Sequence, residues 1–195
     1  MGKIGFIGLG NIANAIIKGS SSAGIITPED LAVFDIEKEK TKELVSLGAT
    51  EAENPKDLAG LVDVLFLTVK PQIVFSVLEE LKPHLSSEVL IISPVAGVKM
   101  EKINLALGGN KKIIRVMPNT PLMYSAGATA ISVGEGVEQK QVELVEKIFG
   151  ASGVTAILPE EQIDAVTGIS GSSPAFFMRF AREIINEGVA QGLTK

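Results

Sequence analysis

Apolar and polar positions along this chain alternate between two periods. Short, nearly continuous apolar runs predict strands at about 3–8, 31–35, 63–69, 88–93, 112–117 and 127–133, with weaker ones near 49–51 and 154–158. Between them, apolar residues three and four apart predict helices at about 11–23, 37–47, 55–60, 71–82, 99–107 and 138–150. Two of the strands, Val64 to Val69 and Val89 to Ile92, carry almost no polar residue, as strands buried on both faces do. Buried strands alternating with helices predict an α/β fold: a doubly wound, mostly parallel sheet covered by helices.

The pattern changes after about residue 158. Pro159 opens a helix containing Ile163 and Val166, and Gly168 to Pro174 reads as a small-residue connection. A long helix then runs from Ala175 to about Gln191, with Ser173 as its N-cap and Pro174 as its first residue. Phe176, Phe177, Phe180, Ile184, Ile185 and Val189 give it more apolar surface than a lone surface helix carries. It needs a partner that 195 residues scarcely supply, either another subunit or further chain. The expected organisation is therefore a sheet domain at 1–158 and the start of a helical domain at 159–195.

Chemistry gathers where predicted strands end. Ile7-Gly8-Leu9-Gly10-Asn11-Ile12-Ala13 lies between the first strand and the first helix. A Gly-x-Gly-x-x-Ala turn in that context lets a backbone approach a pyrophosphate and aims a helix amino end at it. A plain structural turn is the competing reading. Asp35 ends the second strand, 22 residues beyond Ala13, where a carboxylate can bind ribose hydroxyls and repel a 2′-phosphate. That favours NADH mildly over NADPH, while Lys38 and Lys40 offset part of the repulsion. Asp35 can also cap the helix that follows. Thr68-Val69-Lys70-Pro71 ends a buried strand, and Pro71 would open the next helix. Val95-Ala96-Gly97 follows another strand with residues small enough for a flat ring to approach. In Arg115 to Pro121, two prolines bracket Asn119 and Thr120 and fix their backbone.

Composition narrows the chemistry. With no cysteine and one histidine, His84, there is no disulfide, thiolate centre, histidine triad or multi-histidine metal site. His84 reads as a solvated residue near a helix carboxyl end. A net charge of −5 without a basic cluster argues against nucleic acid as a partner. No apolar run is long enough to span a bilayer, and the chain enters a strand at once, so no membrane is expected and a cytoplasmic location is the default.

Four segments taken together, GFIGLGNIA (5–13), VKPQ (69–72), RVMPNTP (115–121) and DAVTGISGSSPAF (164–176), resemble pyrroline-5-carboxylate reductase. The resemblance runs along the whole chain in order. It implies a Rossmann domain followed by a helical domain that builds an intertwined homodimer or higher homo-oligomer. The implied reaction is NAD(P)H-dependent reduction of 1-pyrroline-5-carboxylate to L-proline. It also implies site residues. Ile7 to Ile12 would hold the pyrophosphate and Asp35 the adenosine ribose. Asn54 would make a polar cofactor contact. Thr68 to Pro71 and Val95 to Gly97 would line the nicotinamide half, with Asn119 and Thr120 facing the substrate. No catalytic side chain or proton donor is identified.

Two departures stand out. The family usually has SGSGPA where this chain has Ser170 to Ala175, so Ser173 either costs a close backbone approach or supplies a better cap. The family also continues past residue 195 into a serine-, glycine- and threonine-rich substrate loop and further helices. Two other readings stay open: another Rossmann reductase with a helical second domain, and a non-catalytic dinucleotide-binding module.

Overall fold

The computed structural model describes residues 2–194. Eight strands form one sheet: β1 (Lys3–Ile7), β2 (Leu31–Phe34), β3 (Thr50–Glu51), β4 (Val62–Leu67), β5 (Leu90–Ser93), β6 (Lys112–Pro118), β7 (Gly127–Val133) and β8 (Gly153–Ile157). Their order is β3-β2-β1-β4-β5-β6-β7-β8. The first six are parallel, β7 is antiparallel to β6, and β8 is parallel to β7. The order reverses between β1 and β4, and such a reversal opens a crevice beyond the carboxyl ends of the strands.

Helices cover both faces. On one, α1 (Asn11–Ser22) and α6 (Gln139–Gly150) pack Ile16, Val145 and Phe149 against Ile4, Phe6 and Phe66. The Phe6 and Phe66 rings stack there, 4.5 Å between centroids and 2° apart. On the other, α3 (Pro55–Ala59), α4 (Val74–Leu81) and α5 (Met100–Ala106) cover Ile7, Leu65 and Ile91. The apolar residues of β4 thus divide between two cores, which is why that strand reads as an unbroken run. A third, small cluster joins Met117 and Ala130 of the sheet to Ile163 of α7 (Glu160–Val166).

Three local expectations fail for identifiable reasons. The segment expected to be a helix at 37–47 is a 3-10 turn, Lys38–Lys40, followed by the short α2 (Lys42–Ser46). Thr41 at the break donates its hydroxyl to the Lys38 carbonyl and to Glu51, a local bond that competes with helix continuation. Pro71 does not open α4. The Ile73 N–H bonds to the Lys70 carbonyl and closes a turn first, so the helix begins at Val74.

The third correction concerns Ser173, which is not a cap. The chain stays helical from α7 through a π turn, Thr167–Gly171, into α8 (Ser173–Ala190). Ser172, itself helical with φ −93° and ψ −35°, precedes α8. Its N–H already bonds to the Thr167 carbonyl, five residues back. The extra residue in that turn accommodates Pro174, which has no N–H to give and would crowd the carbonyl four residues earlier. Beyond it, α8 leaves the sheet with Phe176, Phe177 and Phe180 about 70% exposed.

Candidate functional site

The glycine turn is built by the sheet beneath it. Gly8 has φ +92°, and a Cβ there would stand 2.8 Å from the Thr68 carbonyl oxygen, so only glycine fits. Thr68 fastens the same point by donating its hydroxyl to the Gly8 carbonyl (2.6 Å). Asp35, buried at the end of β2, accepts from the Leu9 N–H (2.7 Å) and from the Glu37 N–H (2.8 Å). Its carboxylate is therefore first a tie between the glycine turn and the β2 loop. The Leu9 amide is spent on that tie, and its side chain is buried in the core.

Gly10 differs from Gly8 in kind. It precedes α1 with φ −79°, and a Cβ there would meet nothing within 4 Å. The first N–H of α1 to bond back is that of Asn14, to the Gly10 carbonyl. This leaves the N–H groups of Asn11, Ile12 and Ala13 without an intrahelical partner. Among the described residues no side chain caps this end and no acid occupies the first turn. A free helix amino end beside a glycine with open space suits an anion, so the residues present fit a dinucleotide phosphate.

A cleft of about 440 Å³ opens there, at the switch point of the sheet. It gathers Ile7, Gly8, Gly10, Asp35, Thr68, Val69 and Lys70 from the sequence expectation. Sequence reasoning missed its other wall, Ile73, Ser76, Val77 and Glu80, although that spacing is one face of a helix and was visible. It also missed Ile36 at the lip, 88% exposed, and the pair Glu37 and Lys40. Lys40 lies 2.6 Å from Glu37 and 3.8 Å from Asp35. The Glu37 bond, then the Asp35 charge, raises the Lys40 pKa above its ordinary value.

Other expected residues lie elsewhere. Asn54 caps α3: its carbonyl accepts from the Asp57 N–H (3.0 Å) and its amide donates to the Asp57 carboxylate (2.6 Å). Its neighbour Pro55 reaches the cleft in its place. Pro71 is exposed outside it, Val95 is buried, and Ala96 and Gly97 are exposed on the loop after β5. His84 is exposed, as expected, and lines a larger cleft of about 750 Å³ at the opposite ends of the strands.

Asn119 stands at the carboxyl end of β6, and both its amide oxygen and its NH2 have partners. Its oxygen accepts from the Ala128 N–H (2.9 Å) and its NH2 donates to the Ser170 hydroxyl (3.2 Å). Thr120 beside it is exposed, and its hydroxyl has no hydrogen bond among the described residues. Four residues earlier in β6, Arg115 is fully buried. Its Nη2 meets Asp164 at 2.7 Å and its Nη1 meets Glu160 at 3.4 Å. The guanidinium is buried, while the Asp164 side chain is 59% exposed and that of Glu160 19%, so the charge is paired at the edge of the core. A lone arginine inside Ile113-Ile114-Arg115-Val116-Met117 is the signal in the sequence for such a pairing.

The parallel sheet, the glycine turn at its switch point and the appended helices define a dinucleotide-dependent oxidoreductase of the Rossmann type. Residues 3–97 match the family model described as NADP oxidoreductase, coenzyme F420-dependent, and residues 160–195 match that for pyrroline-5-carboxylate reductase dimerisation. Pyrroline-5-carboxylate reductase of Escherichia coli (strain K12) is 35% identical over 194 residues, covering 99% of this chain and 72% of that protein. The Methanosarcina acetivorans protein of that name is 36% identical with the same coverage. Among solved structures, Plasmodium falciparum pyrroline carboxylate reductase with NADP bound superposes with a TM-score of 0.89. It is 33% identical and covers 99% of this chain and 71% of that one. The Coxiella burnetii enzyme gives 0.87 at 33% identity, covering 99% and 72%. The chain belongs to the pyrroline-5-carboxylate reductase family.

Proposed function

We propose that this protein reduces the C=N bond of 1-pyrroline-5-carboxylate to give L-proline, at the expense of NAD(P)H. The observation that carries the reading is a likeness of 32–36% to reductases of that name along almost the entire chain, and the cleft beside the glycine turn supports it. NAD(P)H, when bound, supplies the hydride. The chain's own residues bind and orient it. The free N–H groups of α1 take the pyrophosphate, and Gly10 leaves it room to approach. Asp35 keeps lone pairs for ribose hydroxyls while it holds the turn. Val69 and Lys70 direct the rest of the cofactor along the ends of β4 and β5, toward Val95, Ala96 and Gly97. Thr120, with its free hydroxyl, is the residue of the β6 loop left to face substrate.

NADH is the favoured donor in this reading. Asp35, Glu37 and Glu80 place three carboxylates around the cleft against Lys40 and Lys70, an unfavourable field for a 2′-phosphate. The Plasmodium falciparum relative holds NADP, so the preference is one of degree. A homodimer is part of the reading too, with the exposed apolar stripe of α8 as the surface a second copy covers.

A substrate panel tests the activity. Protein expressed from its whole coding sequence should oxidise NADH with 1-pyrroline-5-carboxylate and remain idle with 2- and 3-hydroxy acids and NAD+. Turnover of the hydroxy acids instead would move it to another class of Rossmann reductase. Dinucleotide binding without turnover of any of them would make it a binding module.

A further inference from the structure

Two of the segments singled out in the sequence, the β6 run ending in Pro118-Asn119-Thr120 and the stretch from Asp164 to Ser173, are contact partners. Strand β6 and the path from α7 through the π turn run side by side in the same direction. Arg115 meets Glu160 and Asp164 at one end, and Asn119 meets Ser170 at the other. From Arg115 to Asn119, four strand steps cover about 13 Å. From Glu160 to Ser170, ten helical steps cover about 15 Å. The two lengths match, so the helical segment is tied to the strand at both ends of one span. Ile163 seals the space between the ties by packing on Met117 and Ala130.

The lower tie reaches a third element. Glu160 Oε1 also accepts from the N–H of Met100, the first residue of α5, at 2.7 Å. Among the described residues no side chain on α5 itself caps that end, so Glu160 closes it from 60 residues away. The sheet register sets Arg115 beside Ser93, the last residue of β5. Glu160 therefore joins the exit of the loop from Pro94 to Lys99, through the Met100 N–H, to the Arg115 guanidinium, which also meets Asp164 of α7. The loop follows the carboxyl end of β5, along the crevice where an extended dinucleotide leads. The π turn and Asn119 lie at that same edge.

We propose that Arg115 and Glu160 are positioning residues: they fix the separation between the loop after β5 and the helical segment, and hence the gap in which hydride donor and imine meet. The inference rests on the function proposed above. A fixed gap matters because hydride transfer requires the reacting carbons held close and aligned, and a misplacement of about 1 Å can cost about 10²-fold in rate. Arg115 suits the task because its planar fork addresses two carboxylates at once, which a lysine cannot do with fixed geometry.

The test uses Glu160→Ala, Glu160→Gln and Ser170→Ala in protein expressed from its whole coding sequence. NADH affinity is measured by fluorescence titration, turnover with 1-pyrroline-5-carboxylate, and backbone amide exchange across 160–171. Glu160→Ala should lower kcat by about 10²-fold while NADH Kd stays within about twofold, and exchange across 160–171 should rise. Glu160→Gln, which keeps an acceptor for the Met100 N–H, should recover most of the loss. Ser170→Ala, at the half-buried upper end of the clamp, should lower kcat less and loosen 167–171 alone. It keeps the proposal testable if Glu160→Ala fails to fold. Unchanged kcat in folded Glu160→Ala, or in Ser170→Ala if that is the only variant to fold, overturns the clamp. So does a loss of NADH binding in step with turnover. If wild-type protein shows no imine turnover, the functional reading fails. The exchange data then judge the clamp by themselves: faster exchange at 160–171 supports it, and unaltered exchange refutes it.

Discussion

Helices α1 and α8 are both amphipathic, yet they end in opposite situations. In α1, Ala13, Ala15, Ile16, Ile17 and Ser20 are buried against the sheet, and only its amino end is left free. In α8, eighteen residues long, none is buried among the described residues, and Phe177 and Ile184 stay 73% and 57% exposed. The same kind of pattern yields a finished element in one place and an unsatisfied one in the other. An apolar stripe states that a helix needs a partner. It does not say whether that partner is the helix's own sheet or a second surface.

The contrast can be broken first in the core. Phe66→Ala, which removes the ring stacked on Phe6, should lower unfolding free energy by about 3–5 kcal/mol in a denaturant titration. The double change Phe177→Ser/Ile184→Ser on α8 should leave the unfolding of the isolated subunit within about 0.5 kcal/mol. It should instead shift sedimentation of the whole protein to smaller species. Large subunit destabilisation by the α8 change would mean that the stripe already packs on its own chain.

Next come the two glycines at the free end of α1. Gly8→Ala places a side chain at φ +92° against a carbonyl and should cost about 1–3 kcal/mol in thermal unfolding. Gly10→Ser should leave stability unchanged or slightly raised, since serine is a good cap, yet weaken NADH binding about tenfold. Its hydroxyl would take up the N–H groups that a phosphate uses. If both variants lose stability and binding together, the separation between a structural and a binding glycine is wrong.

Most of the architecture was visible in the hydrophobic pattern. The strands with continuous apolar runs, β4 and β5 above all, follow from it, because a strand buried on both faces has few other ways to read; β3 and β8, in which no residue is buried, give weaker signals. The glycine turn was legible for a similar reason, since Gly-x-Gly between a strand and a helix serves few purposes. Side-chain partnership is less legible. The amides of Asn54 and Asn119 bond to Asp57, Ala128 and Ser170, and a polar side chain does not announce which partner will claim it. The connection from Gly168 to Pro174 was expected to break the helix, but a π turn carries it through. The pairing of Arg115 is not legible locally, because its partners lie 45 and 49 residues away.

Two smaller effects sharpen the picture of the cleft. Asp35→Asn keeps an acceptor for one of its two N–H donors and faces the other with an NH2, which should cost about 1–3 kcal/mol. The ratio of NADPH to NADH affinity should rise, as measured by parallel titrations. The smallest effect is that of Lys40. Its bond to Glu37 raises its pKa above 10.5, so its contribution to stability is whole below that pH and is lost as pH rises through the higher folded value. Thermal unfolding followed between pH 9 and 11.5 should show this slight alkaline loss, and Lys40→Met should remove it.

The most direct test of the central claim follows the hydride itself. Protein expressed from its whole coding sequence is given 1-pyrroline-5-carboxylate and NADH deuterated at both C4 positions, and the proline formed is analysed by mass spectrometry and NMR. One deuterium at C5 of L-proline for each NADH oxidised is the predicted result. NADH oxidation without labelled proline, or no proline from protein that binds NADH, would contradict it.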